Sequence, residues 1–71
     1  HMSKKIYYYS MNARQIMKKL EENGWQLRRV KGSHHIFARN GVTVAVPLHG
    51  AKDLGIGLIK SIEKQTGVKL L

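Results

Sequence analysis

Cysteine is absent from this sequence, which excludes a disulfide framework and thiolate chemistry. A reducing cytoplasm is the compartment expected for such a chain. No apolar run approaches the roughly 20 residues that a membrane-spanning helix needs. The stretch Lys4-Lys5-Ile6-Tyr7-Tyr8-Tyr9-Ser10 is too short and too polar for a signal-peptide core. Proline occurs once, at Pro47, and acidic side chains are scarce: Asp and Glu number 4 against 13 Lys and Arg, a net charge of +9. So one-sided a balance attracts polyanions, whether nucleic acid, anionic lipid or an acidic protein. A lysine-rich surface kept for solubility is the plainer reading, and the excess of one sign argues against it.

With 71 residues the chain makes one small domain. At this size folding hides only about 60% of the unfolded chain's surface, so a partner that covers apolar area would add stability. His1-Met2 reads as a remnant of cloning. Residues 1–10 are then that remnant plus an extension, and 11–71 the functional domain. The extension is open to three readings: an extra edge strand, a docking arm or a disordered extension. Its tyrosines are of a type that stacks on bases, with packing against the domain the more ordinary outcome. Repeats, low-complexity tracts and linkers are all missing.

A first helix is well marked. Asn12 is a good N-cap, and Gln15 three residues later completes a capping box. Ala13, Ile16, Met17 and Leu20 recur at helical spacing. Gly24 supplies the left-handed residue after the end. Three short strands follow. Trp25 to Lys31 places Trp25, Leu27 and Arg29 on one face; Gly32-Ser33 is a turn. His34 to Arg39 is the second strand. Asn40-Gly41 is a strong hairpin signal, since both central positions of a type I′ turn need positive φ. Val42 to Val46 is the third strand, ended by Pro47. The stretch from Leu48 to Gly57 reads as a loop. A second helix is expected from about Gly57 to Thr66, with Ile59 and Ile62 inward and Leu58 flanking, stopped by Gly67. Val68, Leu70 and Leu71 then tuck back on the core. The order αβββα predicts an α+β fold: a three-stranded antiparallel sheet with two helices on one face and the other face open.

The adjacent pair His34-His35 lies on the middle strand. Neighbouring strand residues point to opposite faces, so the two cannot act as a matched dyad. Phe37, the largest apolar side chain on the strand, sets the core side; His35 shares it, and His34 with Ile36 faces the open side. A surface histidine is most often only that. Here Gly32 and Ser33 permit close backbone approach, and Arg28, Arg29, Lys31 and Arg39 crowd the same region. A zinc set of His34, His35, His49 and Asp53 fits no ligand spacing. Gly55-Ile56-Gly57 at the second helix start is neither a Walker loop nor a dinucleotide fingerprint, and a helix-entry turn is the ordinary reading.

These residues carry a resemblance. Gly24-Trp25, then Gly32-Ser33-His34-His35-Ile36-Phe37, then Val44-Ala45-Val46-Pro47, then Asp53-Leu54, Gly57 and Ile62, and a final Gln65-Thr66-Gly67 together resemble the HicA toxins (YcfA-like small proteins) from about Met11 to Val68. The resemblance implies a fold like that of double-stranded-RNA-binding domains. It also implies an mRNA interferase, the ribonuclease toxin of a type II toxin–antitoxin pair, neutralised by an acidic HicB-type antitoxin. The histidine directly after Gly-Ser, here His34, is the implied catalytic residue. Two positions depart from the family's pattern: Gly55 stands where proline is frequent, and Leu58 where threonine is. If that hydroxyl caps the helix or touches phosphate, its loss weakens RNA binding.

The chemistry expected is metal-independent and needs no cofactor. A base removes the ribose 2′-OH proton and the freed oxygen attacks the adjacent phosphorus; His34 is the candidate base. Arg28, Arg29, Lys31, Ser33 and Arg39 are candidate contacts to RNA around it. The outward helix faces, with Lys18, Lys19, Lys60 and Lys64, suit A-form RNA held by phosphate and 2′-OH contacts and read by shape. The general acid is open between His35, His49 and water. The rival expectations are a non-catalytic RNA-binding module of the same fold, and a pure interaction protein for an acidic partner.

Overall fold

The computed structural model describes residues 11–71; the tyrosine-bearing extension lies outside the described residues. Met11 and Asn12 form a short strand, β1 (Met11–Asn12), and Asn12 then caps helix α1 (Ala13–Glu22). The capping box is complete. The Gln15 backbone N–H donates to Asn12 Oδ1, and the Asn12 N–H donates to Gln15 Oε1, both at 2.9 Å. Two N–H groups that the helix leaves without partners are thereby satisfied. Ala13, Ile16 and Leu20 form the buried stripe. At the far end the Gly24 N–H reaches the Glu21 carbonyl and the Trp25 N–H the Leu20 carbonyl, at 3.1 and 3.0 Å. That is a Schellman ending, and Gly24 supplies the positive φ it requires, +87°.

The chain then makes the meander: β2 (Gln26–Lys31), β3 (His34–Arg39) and β4 (Val42–Pro47), antiparallel in the order β2-β3-β4. Both hairpins turn in two residues. Asn40 and Gly41 have φ of +50° and +80°, as a type I′ turn demands. In the other turn only Gly32 is positive, at +60°, the position where type II′ turns take glycine.

After β4 the structure departs from the expected loop. β5 (Asp53–Leu54) pairs antiparallel with β1, Met11 opposite Leu54 and Asn12 opposite Asp53. This second, two-stranded sheet ties the entry of α1 to the entry of α2 (Ile56–Thr66). The second helix begins one residue before the expected Gly57. Its N-cap is Gly55, and no side chain caps it. Gly67 ends it with φ +74°. The tail folds back as expected: Val68 and Leu70 are buried. The Glu63 carboxylate holds it there, accepting the Leu70 and Leu71 N–H groups at 2.7 and 3.0 Å.

The core lies between the helices and one face of the sheet. Phe37, Ile16, Leu20, Ile59, Ile62 and Val46 are the largest fully buried side chains, joined by Trp25 and Val44. Each such side chain contributes about 1.5–3 kcal/mol on leaving water. The Trp25 Nε1–H is buried with no partner among the described residues, a cost of about 1–3 kcal/mol. No helix among the described residues is long and apolar enough to cross a membrane.

Candidate functional site: the open face of the sheet

Cross-strand partners in an antiparallel pair share a face, so the register assigns every side chain a side. Phe37 opposes Val44 and Leu27, and His35 opposes Val46 and Val30; this is the helix-covered side. His34 opposes Lys31 on one flank and Pro47 on the other. Ile36 opposes Arg29 and Ala45, and Ala38 opposes Gln26 and Thr43. The open face is thus a grid of three rows. His34, Ile36 and Ala38 form its middle column, Lys31, Arg29 and Gln26 the column on β2, and Pro47, Ala45 and Thr43 the column on β4.

One feature of β2 corrects the expected faces. The register shifts between Leu27 and Arg29, so Arg28 is the extra residue of a β-bulge. Strict alternation puts Arg29 beside Trp25 and Leu27. The bulge instead puts Arg29 and Lys31 on the open side with His34, while Leu27 and Val30 both turn to the covered side. Nothing in the residue types of Gln26 to Arg29 announces the bulge; only pairing both ends of the strand to β3 reveals it.

The two histidines separate as expected. His34 is exposed at the start of β3, immediately after the tight Gly32-Ser33 turn. An added Cβ at Gly32 would meet no atom of the described residues within 4 Å, so these leave open space beside the turn. His35 is half-buried, with Nδ1 3.4 Å from the Ser33 carbonyl oxygen. It borders an open cleft of about 310 Å³ between α1 and the β2 side of the sheet, with Met17, Leu27, Phe37 and Leu48 on its apolar wall. Leu27 and Val30 remain 45% and 53% exposed at this margin. The Ser33 carbonyl also accepts the Leu48 N–H at 2.8 Å, which pins the turn bearing His34 to the end of β4.

The other expected contacts lie elsewhere. Arg39 is at the opposite end of β3 from His34, about 16 Å along the strand at about 3.3 Å per residue. Its Nε lies 3.0 Å from the point a Gly24 Cβ would occupy. A guanidinium there faces the C-terminal end of α1, where a cation offsets the helix dipole. Lys60 and Lys64 are exposed on α2, in the helical layer beneath the sheet, and the fold does not bring them to His34. Among the described residues no three His, Asp or Glu side chains gather as a metal site. The structure adds the uncharged column Pro47, Ala45 and Thr43, whose place beside His34 follows from the β3–β4 register and from no charge or nucleophile among them.

Fold and surface together define a class: a small, strongly basic α+β protein of the double-stranded-RNA-binding-domain type, with one histidine set among cations on its open sheet. The family profile described as "HicA toxin of bacterial toxin-antitoxin" matches residues 13–68. A relative from Pseudomonas fluorescens (strain Pf0-1), named "Probable mRNA interferase HicA", is 46% identical over 50 residues, covering 70% of this chain and 83% of the relative. The chain belongs to the HicA toxin family.

Proposed function

We propose that the protein is an mRNA interferase toxin that cleaves RNA without a metal, with His34 as general base. One observation carries this reading: of two adjacent imidazoles only His34 stands on the open face, directly across from Lys31. The neutral ring takes the proton of a ribose 2′-OH. The freed oxygen attacks the neighbouring phosphorus, the bond from phosphorus to the 5′-oxygen breaks, and a proton is delivered to that oxygen. The products are a 2′,3′-cyclic phosphate and a 5′-hydroxyl. Lys31 and Arg29 stabilise the charge that builds on the phosphoryl oxygens; Arg28 and Ser33 line the approach. His35, on the covered side, serves the turn and not the reaction. His49, two residues beyond Pro47, is the candidate acid.

A single well-placed base with loose acid support gives a slow nuclease, which suffices when each message needs one cut. The family description and the relative's name support the toxin reading. By the same reading the partner is an acidic HicB-type antitoxin that covers His34 and offsets part of the positive charge, and the pair works in the cytoplasm. Purified protein in EDTA should cut RNA and leave cyclic-phosphate ends, and His34→Ala should stop this while its circular dichroism is unchanged. RNA binding without cleavage by the native protein would make it a non-catalytic binding module of the same fold.

A further inference from the structure

We infer that the substrate is a single RNA strand laid lengthwise along the open face, with the scissile phosphate at Lys31 and the next phosphate at Arg29. The inference rests on the function proposed above and specifies how that site is filled. The grid is asymmetric. Its β2 column carries both charges, Lys31 level with His34 and Arg29 level with Ile36. Its β4 column, Pro47, Ala45 and Thr43, carries none. Same-face residues two apart on a strand are about 6.7 Å from each other, a spacing that suits successive phosphates of an extended chain. Sugar and phosphate therefore track β2, and the bases fall toward β4.

A duplex does not fit this surface. Recognition of double-stranded RNA uses contacts across a groove to phosphates on two lines, and here the cations form one line. The chemistry agrees. The attacking 2′-oxygen must come in line with the departing 5′-oxygen, which the stacked A-form helix prevents and a free strand allows. Base selectivity should be broad. The open face has no Phe, Tyr or Trp among its described residues, so stacking on rings adds little affinity and the phosphate contacts, which do not read sequence, carry the binding. Short side chains at Ala45 and Pro47 accept a purine or a pyrimidine.

Binding is measured by fluorescence anisotropy with a 2′-O-methyl RNA strand, which cannot be cut, and with the corresponding duplex, across a salt series. The native protein should bind the single strand at least tenfold more tightly than the duplex. Lys31→Ala and Arg29→Ala should each flatten the plot of log affinity against log salt by about 0.7, the release expected for one lost phosphate contact on a single strand. Equal or tighter duplex binding, or unchanged salt slopes in both variants, would overturn the inference. The ligand is inert, so this result does not depend on whether His34 is the base. If His34→Ala still cuts RNA, the proposed chemistry fails while the strand's path is still read.

Discussion

The two faces of the three-stranded sheet share their backbone and almost nothing else. On β3, Phe37 is 1% exposed in the core, whereas His34 on the opposite side stands in solvent between Lys31 and Pro47. The covered face must match the shapes of Ile16, Leu20, Ile59 and Ile62 and has little freedom. No helix among the described residues packs on the open face, so its side chains are not constrained by a core. Cutting one side chain on each face separates the roles. Phe37→Ala should cost about 3–5 kcal/mol, a large part of the 5–15 kcal/mol that is usual for a domain, and show in chemical denaturation. His34→Ala should lower cleavage by about 10²–10⁴-fold with no comparable loss of stability. A His34→Ala protein as unstable as the Phe37→Ala one would erase the distinction between the faces.

Gly24 gives a sharper cut, at the margin where α1 hands over to the sheet. Gly24→Ala should destabilise by about 1–2 kcal/mol from the left-handed backbone alone, and further because Arg39 lies across the position the new Cβ would take. A double-mutant cycle isolates the second part. In an Arg39→Ala background the same substitution should cost less, leaving only the backbone strain. If the two substitutions are additive in thermal melts, Arg39 does not pack on this glycine.

Much of this was legible in the residues, for reasons that can be named. Asn12 with Gln15 announces a helix start, Asn40-Gly41 a hairpin, and the parity of Phe37 separates His34 from His35. Each signal is local, fixed within about one turn of helix or one hairpin. What escaped is not local. The bulge at Arg28 moves Arg29 to the open face, because Leu27 pairs with Phe37 while the tight Gly32-Ser33 turn fixes Lys31 opposite His34, one residue too many for a regular ladder. The pairing of Met11–Asn12 with Asp53–Leu54 joins residues some forty positions apart through strands two residues long, too short to show a period. The tail tuck was expected from its apolar residues, but its Glu63 clamp was not.

The two helix starts extend the comparison at lower energy. α1 has a full capping box, whereas α2 begins at Gly55 with no side-chain cap. Asn12→Ala should therefore cost about 1 kcal/mol, detectable as a lower denaturation midpoint. The reverse change, Gly55→Ser, should gain a smaller amount by giving α2 the acceptor it lacks. A loss on Gly55→Ser would mean that the glycine is needed for the turn from β5 into α2.

The smallest effect comes from Glu63, which joins α2 to the tail. The Leu71 and Leu70 backbone N–H groups hold its carboxyl below the usual glutamate range, helped by Lys60 and Lys69 against a modest penalty from burial. A carboxyl lowered in this way binds its proton more weakly in the folded than in the unfolded chain. Its contribution to stability is therefore complete at neutral pH and falls away as the pH drops through the ordinary glutamate range and below it. Glu63→Gln keeps an oxygen acceptor but loses the charge, so it should be slightly less stable than the native protein at pH 7 and converge with it in acid. Denaturation midpoints of both proteins across that range provide the test. A gap that stays constant with pH would mean that the charge of Glu63 does not hold the tail, and that the burial of Val68 and Leu70 alone keeps it on the core.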